Sequence, residues 1–317
     1  MNNDTIDATN VLSNMILEGD RSVIDAIKEK KRLMDAGEEH GHIRPMLFID
    51  GGLIKAVYGI GAGLALEELG YNDVFTSMVG VSSGAVSVAY FASKDTKVGG
   101  SLAWDECSSR KFINMWRFWN QVNTFYISGV LRGVTGKGVD AKKVFDSPAD
   151  IYIGVADFNT GIPKLLKPTT SEELLTSIQA SILMPNVSTD VVTFDDIRYV
   201  DGGFTRPHIL RKAIDEIEAT HVLVLTNQDQ TVTSIPLLER FLNHTLFRWR
   251  MPKALRFAAH ERRRERYKAI EYMEKHYHVP YALVWGDHSI RSMERDSDKI
   301  KAVVEKSRDW WQKLLAK

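Results

Sequence analysis

MVGVSSGAVSVAYFA, residues 78–92, decides the fold. An apolar run from Val74 to Val81 ends on Ser82, Ser83 and Gly84, and a helix of small and apolar residues follows from Ala85 to Ala92. Gly80 and Gly84 flank Ser82 at two residues on either side, the G-x-S-x-G spacing of a serine held on a sharp strand-to-helix turn. Larger residues at those places would collide across the turn, and a helix that starts at the serine favours negative charge beside it. A structural turn with a capping serine has the same local sequence. Ser83 lacks the flanking glycines and is the weaker nucleophile.

Working outward, Pro45 to Asp50 (PMLFID) is a short buried strand that runs into two glycines and a helical pattern, Tyr58 to Leu69. Strand, glycine turn and helix thus occur twice in succession, which predicts a parallel α/β sheet. Ile151 to Ala156, Tyr199 to Val200, His221 to Leu225 and Tyr281 to Trp285 are further strands. Thr170 and Glu173 suit a capping box for a helix through Ser181. Met293 to Leu315 carries apolar residues at helical spacing, including Ile300, Val303, Val304 and Trp311. Residues 1–43 are expected to be a charged helical segment ending at Gly41. Gly99 to Asp146, rich in aromatics and glycine, is placed to cap the serine.

The 317 residues are 44% hydrophobic and 26% charged, enough apolar material for a sizeable core. Lys plus Arg and Asp plus Glu both number 41, so no net field points to nucleic acid. A lone cysteine, Cys107, excludes a disulfide within the chain and suits a reducing, cytoplasmic compartment. It sits in a polar stretch without a turn signature, as a structural thiol would. Met1 to Asp20 lacks the basic start and apolar run of a signal peptide, and no apolar run reaches the ~18 residues of a membrane span. Phe241 to Lys268 is strongly basic, with Arg248, Arg250 and Arg262 to Arg264 interleaved with Phe247, Trp249 and Phe257. Such a helix either lies on an anionic membrane surface or presents a solvated face.

A serine nucleophile needs a base. Asp201-Gly202-Gly203 follows the strand end Tyr199-Val200, and the glycines free the chain to turn just after the carboxylate. An Asx turn closing a hairpin has the same sequence. An aspartate is a weak base at its ordinary pKa of about 3.9, yet it serves where apolar surroundings raise that value or proton transfer is concerted with attack. Acyl transfer also needs amide donors for an oxyanion, and Asp50-Gly51-Gly52-Leu53 can supply a nest of backbone N–H groups. Gly59, Gly61 and Gly63 do not have dinucleotide-loop spacing, so no cofactor is expected. His288, after the Tyr281 to Trp285 strand, offers a rival α/β-hydrolase triad, Ser82–Asp201–His288. His276 and His278 lack partners for a zinc site.

The loop at 50–55, the elbow at 80–84 and the D-G-G at 201–203, in that order, resemble the patatin-like phospholipase family, bacterial type, over residues 44–211. Tyr58 to Gly70 is similar to its first helix and Gln179 to Val187 to its A-S-x-x-x-P segment. The resemblance implies a three-layer α/β/α fold with a mainly parallel central sheet. Residues 212–317 would then be a C-terminal extension on the same core. It implies a serine acyl hydrolase, of phospholipase, lysophospholipase or esterase type, with a Ser82–Asp201 dyad. The oxyanion hole would lie at Gly51, Gly52 and Leu53, the substrate would be a lipid or other ester, and no metal or cofactor would be needed. The family loop reads D-G-G-G-x-[RK]-G, and this chain departs from it at Leu53 and Ala56. A leucine resists positive φ and crowds an acyl carbonyl. The alternatives are therefore a non-catalytic lipid- or protein-binding member, or acyl transfer to an acceptor other than water. Head group, acyl length and oligomeric state leave no mark in these residues.

Overall fold

Strand β2 (Pro45–Ile49) sends Met46 and Phe48 to one face of a sheet and Leu47 and Ile49 to the other, all of them buried. That is the two-residue period of extended chain in a strand covered on both sides. The computed structural model describes residues 15–114, 116, 121–185, 192–205, 208–227, 251–264, 279–287 and 289–316. Among them, β2 is joined by β1 (Ile16–Gly19), β3 (Ser77–Val81), β4 (Asp150–Asp157), β5 (Pro163–Leu166), β6 (Val192–Phe194), β7 (Ile197–Asp201), β8 (His221–Leu225) and β9 (Tyr281–Trp285) in one sheet. Its order is β1-β9-β8-β2-β3-β4-β7-β6, with β5 also paired to β4. The central run β9-β8-β2-β3-β4 is parallel, and β1, β5, β6 and β7 add antiparallel pairs.

Helices cover both faces. Helices α1 (Ser22–Ala36), α2 (Val57–Glu68), α3 (Ser83–Ala92), α4 (Thr96–Asp105), α5 (Thr124–Leu131), α6 (Ala141–Asp146) and α7 (Ser171–Ser181) precede α8 (His208–Glu216), α9 (Lys253–Arg264) and α10 (Ser297–Ala316). One core joins Leu47, Ile49, Met78 and Leu225 to α2, α3 and α10. The other packs Ile209 and Ala213 of α8 on Met46, Phe48, Val79 and Val81. The result is the parallel-centred sheet that the elbow and its flanks predict, in the three-layer α/β/α architecture that the resemblance implies.

Several boundaries differ from the sequence reading for local reasons. Helix α1 stops at Ala36 rather than running to Gly41. Gly37 takes φ 68°, its N–H bonds Met34 O at 3.1 Å and the Glu38 N–H bonds Leu33 O at 2.9 Å, a left-handed stop that needs glycine. Before it, β1 pairs antiparallel with β9, Ile16 opposite Trp285. Val74 ends a turn over residues 72–74, and β3 starts only at Ser77. In α7 the Glu173 N–H bonds Thr170 Oγ1 at 3.2 Å, while the Glu173 carboxylate reaches back to Thr169 N at 2.7 Å.

Candidate active site

Three strands position the two central side chains. Strand β4 pairs with β3 over residues 150–154, with β5 over 153–156 and with β7 over 155–157. Since β5 shares residues with both of the others, β3 and β7 must lie on the opposite side of β4 from it. Strand β3 is parallel to β4 and β7 antiparallel, so their C-terminal ends meet head to head: Val81 lies opposite Gly154 and Asp201 opposite Val155. Ser82 leaves one end and Asp201 forms the other. The Ser82 hydroxyl donates to Asp201 Oδ2 at 2.7 Å, with both residues buried.

The elbow is strained. Ser82 has φ 57° and ψ −131°, and α3 begins at the next residue. A side chain at Gly84 would put its Cβ 2.1 Å from Ile49 O, and one at Gly80 would lie 2.5 Å from Ala85 Cα. The spacing therefore reflects contact with the neighbouring strand as well as the turn itself. The strained peptide is pinned from below. The Ser82 N–H donates to Ser181 Oγ at 2.8 Å, and the Ser181 hydroxyl donates to Gly154 O at 2.7 Å. On the acid side, Asp201 Oδ1 accepts from Gly203 N at 2.7 Å, and Asp201 N bonds Leu183 O at 2.9 Å. A Cβ at Gly202 would meet Gly154 O at 2.6 Å.

The loop after β2 runs alongside. Leu53 adopts φ 55°, so the leucine takes the left-handed conformation it was expected to resist. Its neighbours hold it there: Lys55 N bonds Gly52 O at 3.1 Å and Ile54 N bonds Ser292 O at 3.2 Å. Gly51 N donates to Asp50 Oδ1 at 2.8 Å and Gly52 N to Ser83 Oγ at 3.1 Å. The Leu53 N–H has no partner among the described residues. Asn227, just beyond β8, braces this loop from behind. Its Nδ2 donates to Asp50 O at 2.5 Å and its Oδ1 accepts from Gly59 N at 2.8 Å. Asn227 carries no motif of its own, and the motifs that hold Ser83 and Ser181 do not disclose these bonds. Ser181 lies in the A-S-x-x-x-P stretch, and Asn227 stands at φ 49°, a conformation asparagine tolerates.

Ser82 opens on an apolar cavity walled by α2, α3 and α4 and floored by Leu47, Ile49 and Leu225. Cys107, Phe112, Thr124 and Ile127 close it from above, so the expected cap region does line the site. Burial, with Glu106 nearby, pushes the Cys107 thiol up to about 12, which suits a structural thiol. At the end of β9 lies a second polar cluster. The Tyr58 hydroxyl bonds Asp287 Oδ1 at 2.5 Å and Asp287 O at 2.8 Å, and Ser289 N donates to the same carboxylate at 2.8 Å. His288, the rival triad member, lies outside the described residues, as do His276 and His278. The same holds for residues 241–250 and 265–268 of the basic stretch, and for the side chains of Arg262 to Arg264. Among the described residues no group of side chains could hold a metal ion, and no helix is long and apolar enough to cross a membrane.

A family model described as patatin-like phospholipase matches residues 47–214, just over half of the chain. No curated protein matches it. Among solved structures, VipD from Legionella pneumophila is similar at 13% identity, over 86% of this chain and 67% of that one, with a TM-score of 0.48. The heterodimeric complex ExoU-SpcU from the type III secretion system of Pseudomonas aeruginosa aligns at 16% identity and a TM-score of 0.28. That alignment covers 86% of this chain and 58% of the other, so the chain spans less than two thirds of that relative.

Proposed function

This chain belongs to the patatin-like phospholipase family, and on that premise we propose that it is a serine acyl hydrolase working with a Ser82–Asp201 dyad on a lipid or other carboxylic ester. The observation that carries the reading is the 2.7 Å hydrogen bond between the Ser82 hydroxyl and Asp201 Oδ2 at a strained strand-to-helix elbow. Asp201 takes the Ser82 proton as Oγ attacks the ester carbonyl. The oxyanion that forms is held by the Leu53 N–H and by the start of α3, and Gly52 N–H joins by leaving Ser83 Oγ. Gly51 completes the loop. On collapse the carbonyl re-forms, the ester C–O bond breaks and Asp201 hands its proton to the departing alcohol. Water, deprotonated by Asp201, then attacks the acyl-enzyme, and Ser82 recovers its proton as the acid leaves. No metal or cofactor is required, since nucleophile, base and donors all come from the chain.

A fluorophosphonate probe and a short p-nitrophenyl ester test the reading. Wild type should be labelled at Ser82 and hydrolyse the ester, while Ser82→Ala and Asp201→Asn should each lose at least about a thousandfold in kcat/KM. A folded wild type that neither labels nor hydrolyses would leave the non-catalytic alternative, which draws on the engagement of the Gly51 and Gly52 amides by Asp50 and Ser83. Should His288→Ala abolish turnover while Asp201→Asn is tolerated, the triad would replace the dyad. Acyl transfer to a different acceptor would use the same residues and would be read from alcohol-dependent product ratios.

The reading includes peripheral contact with an anionic membrane surface. It is supported by the basic stretch 241–268 and by Phe257, which stands 67% exposed on α9. Co-sedimentation with phosphatidylserine vesicles should fall with salt and with Arg262 to Arg264 changed to Glu. Unaltered sedimentation in both cases would remove this part.

A further inference from the structure

The cavity beside Ser82 has a direction. Helices α2 and α3 both start at the site and run away from it. Each lays one stripe along the cavity, Gly59, Ile60 and Gly63 on α2 and Ser83, Val86 and Tyr90 on α3. Helix α4 begins at Thr96, beyond the far end of α3, and returns over the top. The far end is therefore where Leu66, Phe91 and Thr96 meet. A polar latch shuts it: the Glu67 carboxylate accepts from Thr96 Oγ1 at 2.6 Å and Thr96 N at 3.2 Å, with Asn72 Nδ2 at 3.4 Å. Thr96 is itself only 4% exposed. An alkyl chain entering from Ser82 gains contact along an apolar bore and then meets hydrogen-bonded groups it cannot satisfy or displace cheaply.

Glycines set the bore's width. At Gly63 an added Cβ would lie 3.0 Å from Thr96 Cγ2 and 3.7 Å from the Phe91 ring, so α2 packs closely on the residues that end the bore and a side chain there would push them into its last stretch. From Ser83 to Phe91 the helix advances about 12 Å at 1.5 Å per residue. A zigzag of carbon–carbon bonds near 1.5 Å advances about 1.3 Å per carbon, so roughly nine carbons fit beyond the ester carbonyl. We infer that this bore is an acyl ruler: the protein takes medium-chain acyl groups, octanoyl to decanoyl, and Gly63 together with the Thr96–Glu67 latch sets the limit. The inference rests on the hydrolase reading of Ser82 for its substrate, but its geometry is that of the bore alone.

The test is the acyl-length profile of kcat/KM on p-nitrophenyl esters from butanoyl to hexadecanoyl. Each carbon added inside the bore should raise kcat/KM by about fourfold, up to octanoyl or decanoyl, and rates should then drop by at least about tenfold by hexadecanoyl. In Gly63→Val the ratio of decanoyl to butanoyl kcat/KM should fall by at least about tenfold, and Gly63→Ala should shift it in the same sense. A wild-type profile that keeps rising to hexadecanoyl, or variants that slow every ester alike, would overturn the ruler. A second measurement separates this from failure of the hydrolase reading. Calorimetry of free octanoate, decanoate and hexadecanoate with Ser82→Ala should show affinity rising to decanoate and lost by hexadecanoate. That result stands even if wild type hydrolyses nothing, whereas affinity that ignores chain length refutes the bore as an acyl site.

Discussion

Replacing Ser181 by alanine tests how the elbow is held. Its hydroxyl is wholly buried, accepting from Ser82 N at 2.8 Å and donating to Gly154 O at 2.7 Å. The substitution removes both bonds in a place water cannot refill. A buried backbone group left without a partner costs about 1–3 kcal/mol. The Ser82 N–H loses its partner outright, while Gly154 O keeps a second lone pair and loses less. The total is about 2–4 kcal/mol, which at about 2 °C per kcal/mol for a chain of this size lowers Tm by about 4–8 °C. The same bond holds Ser82 at φ 57°, a conformation that stores about 1–3 kcal/mol. Released, the peptide relaxes and Oγ moves off the Asp201 line, so kcat should drop roughly tenfold to a hundredfold with KM nearly constant. Urea midpoints, thermal melts and single-turnover acylation by a p-nitrophenyl ester read these together. A Ser181→Ala protein with wild-type Tm and wild-type acylation rate would show that the elbow holds itself and that Ser181 is packing alone.

The cluster at the end of β9 predicts a pH effect. Burial alone would raise the Asp287 carboxyl, but the Ser289 and Tyr58 hydroxyls outweigh it and hold it below its ordinary 3.8. A depressed folded-state pKa contributes stability above the unfolded value, lost as pH falls through the folded one. Asp287→Asn should therefore be less stable than wild type at neutral pH, and the gap in urea midpoint should close below about pH 4; a gap that is constant with pH would refute this. The Cys107 thiol, pushed up to about 12, should resist iodoacetamide at pH ~8 in the folded protein and react only on unfolding. Rapid alkylation of native protein, watched by intact mass, would contradict that upward shift.

What the residues disclose follows from how local each cause is. The parallel strands at 45–49, 77–81, 221–225 and 281–285 are continuous apolar runs closed by turn residues, so period and composition find them. Strand β1 is four residues, Ile16–Gly19, and exists because β9, more than 260 residues later, supplies its ladder. Strand β5 opens on a proline and β6 has three residues, so neither fills a window long enough to show a period. The same divide runs through the site. Ser82 and Asp201 stand out because each sits among glycines whose absence of a side chain is required by a backbone a few ångströms away, as at Gly84 and Gly202.

Ser181 reaches residues 99 and 27 positions distant and Asn227 reaches residues 168 and 177 positions distant, and such remote bonds leave no spacing to read. Leu53 is the informative departure. Steric reasoning from one residue gives a penalty for φ 55°, but the loop's conformation is over-determined from outside the stretch 47–214. Asn227 grips the Asp50 carbonyl and the Gly59 amide, and Ser292 takes the Ile54 N–H. The peptide between Asp50 and Gly51 is planar, so fixing the carbonyl fixes the amide that faces the other way. Under that constraint the left-handed conformation of a leucine costs about 1–2 kcal/mol and is still the lowest arrangement open to the loop. The leucine then keeps a glycine-like φ of 55°, with an apolar side chain added to the lining of an apolar bore.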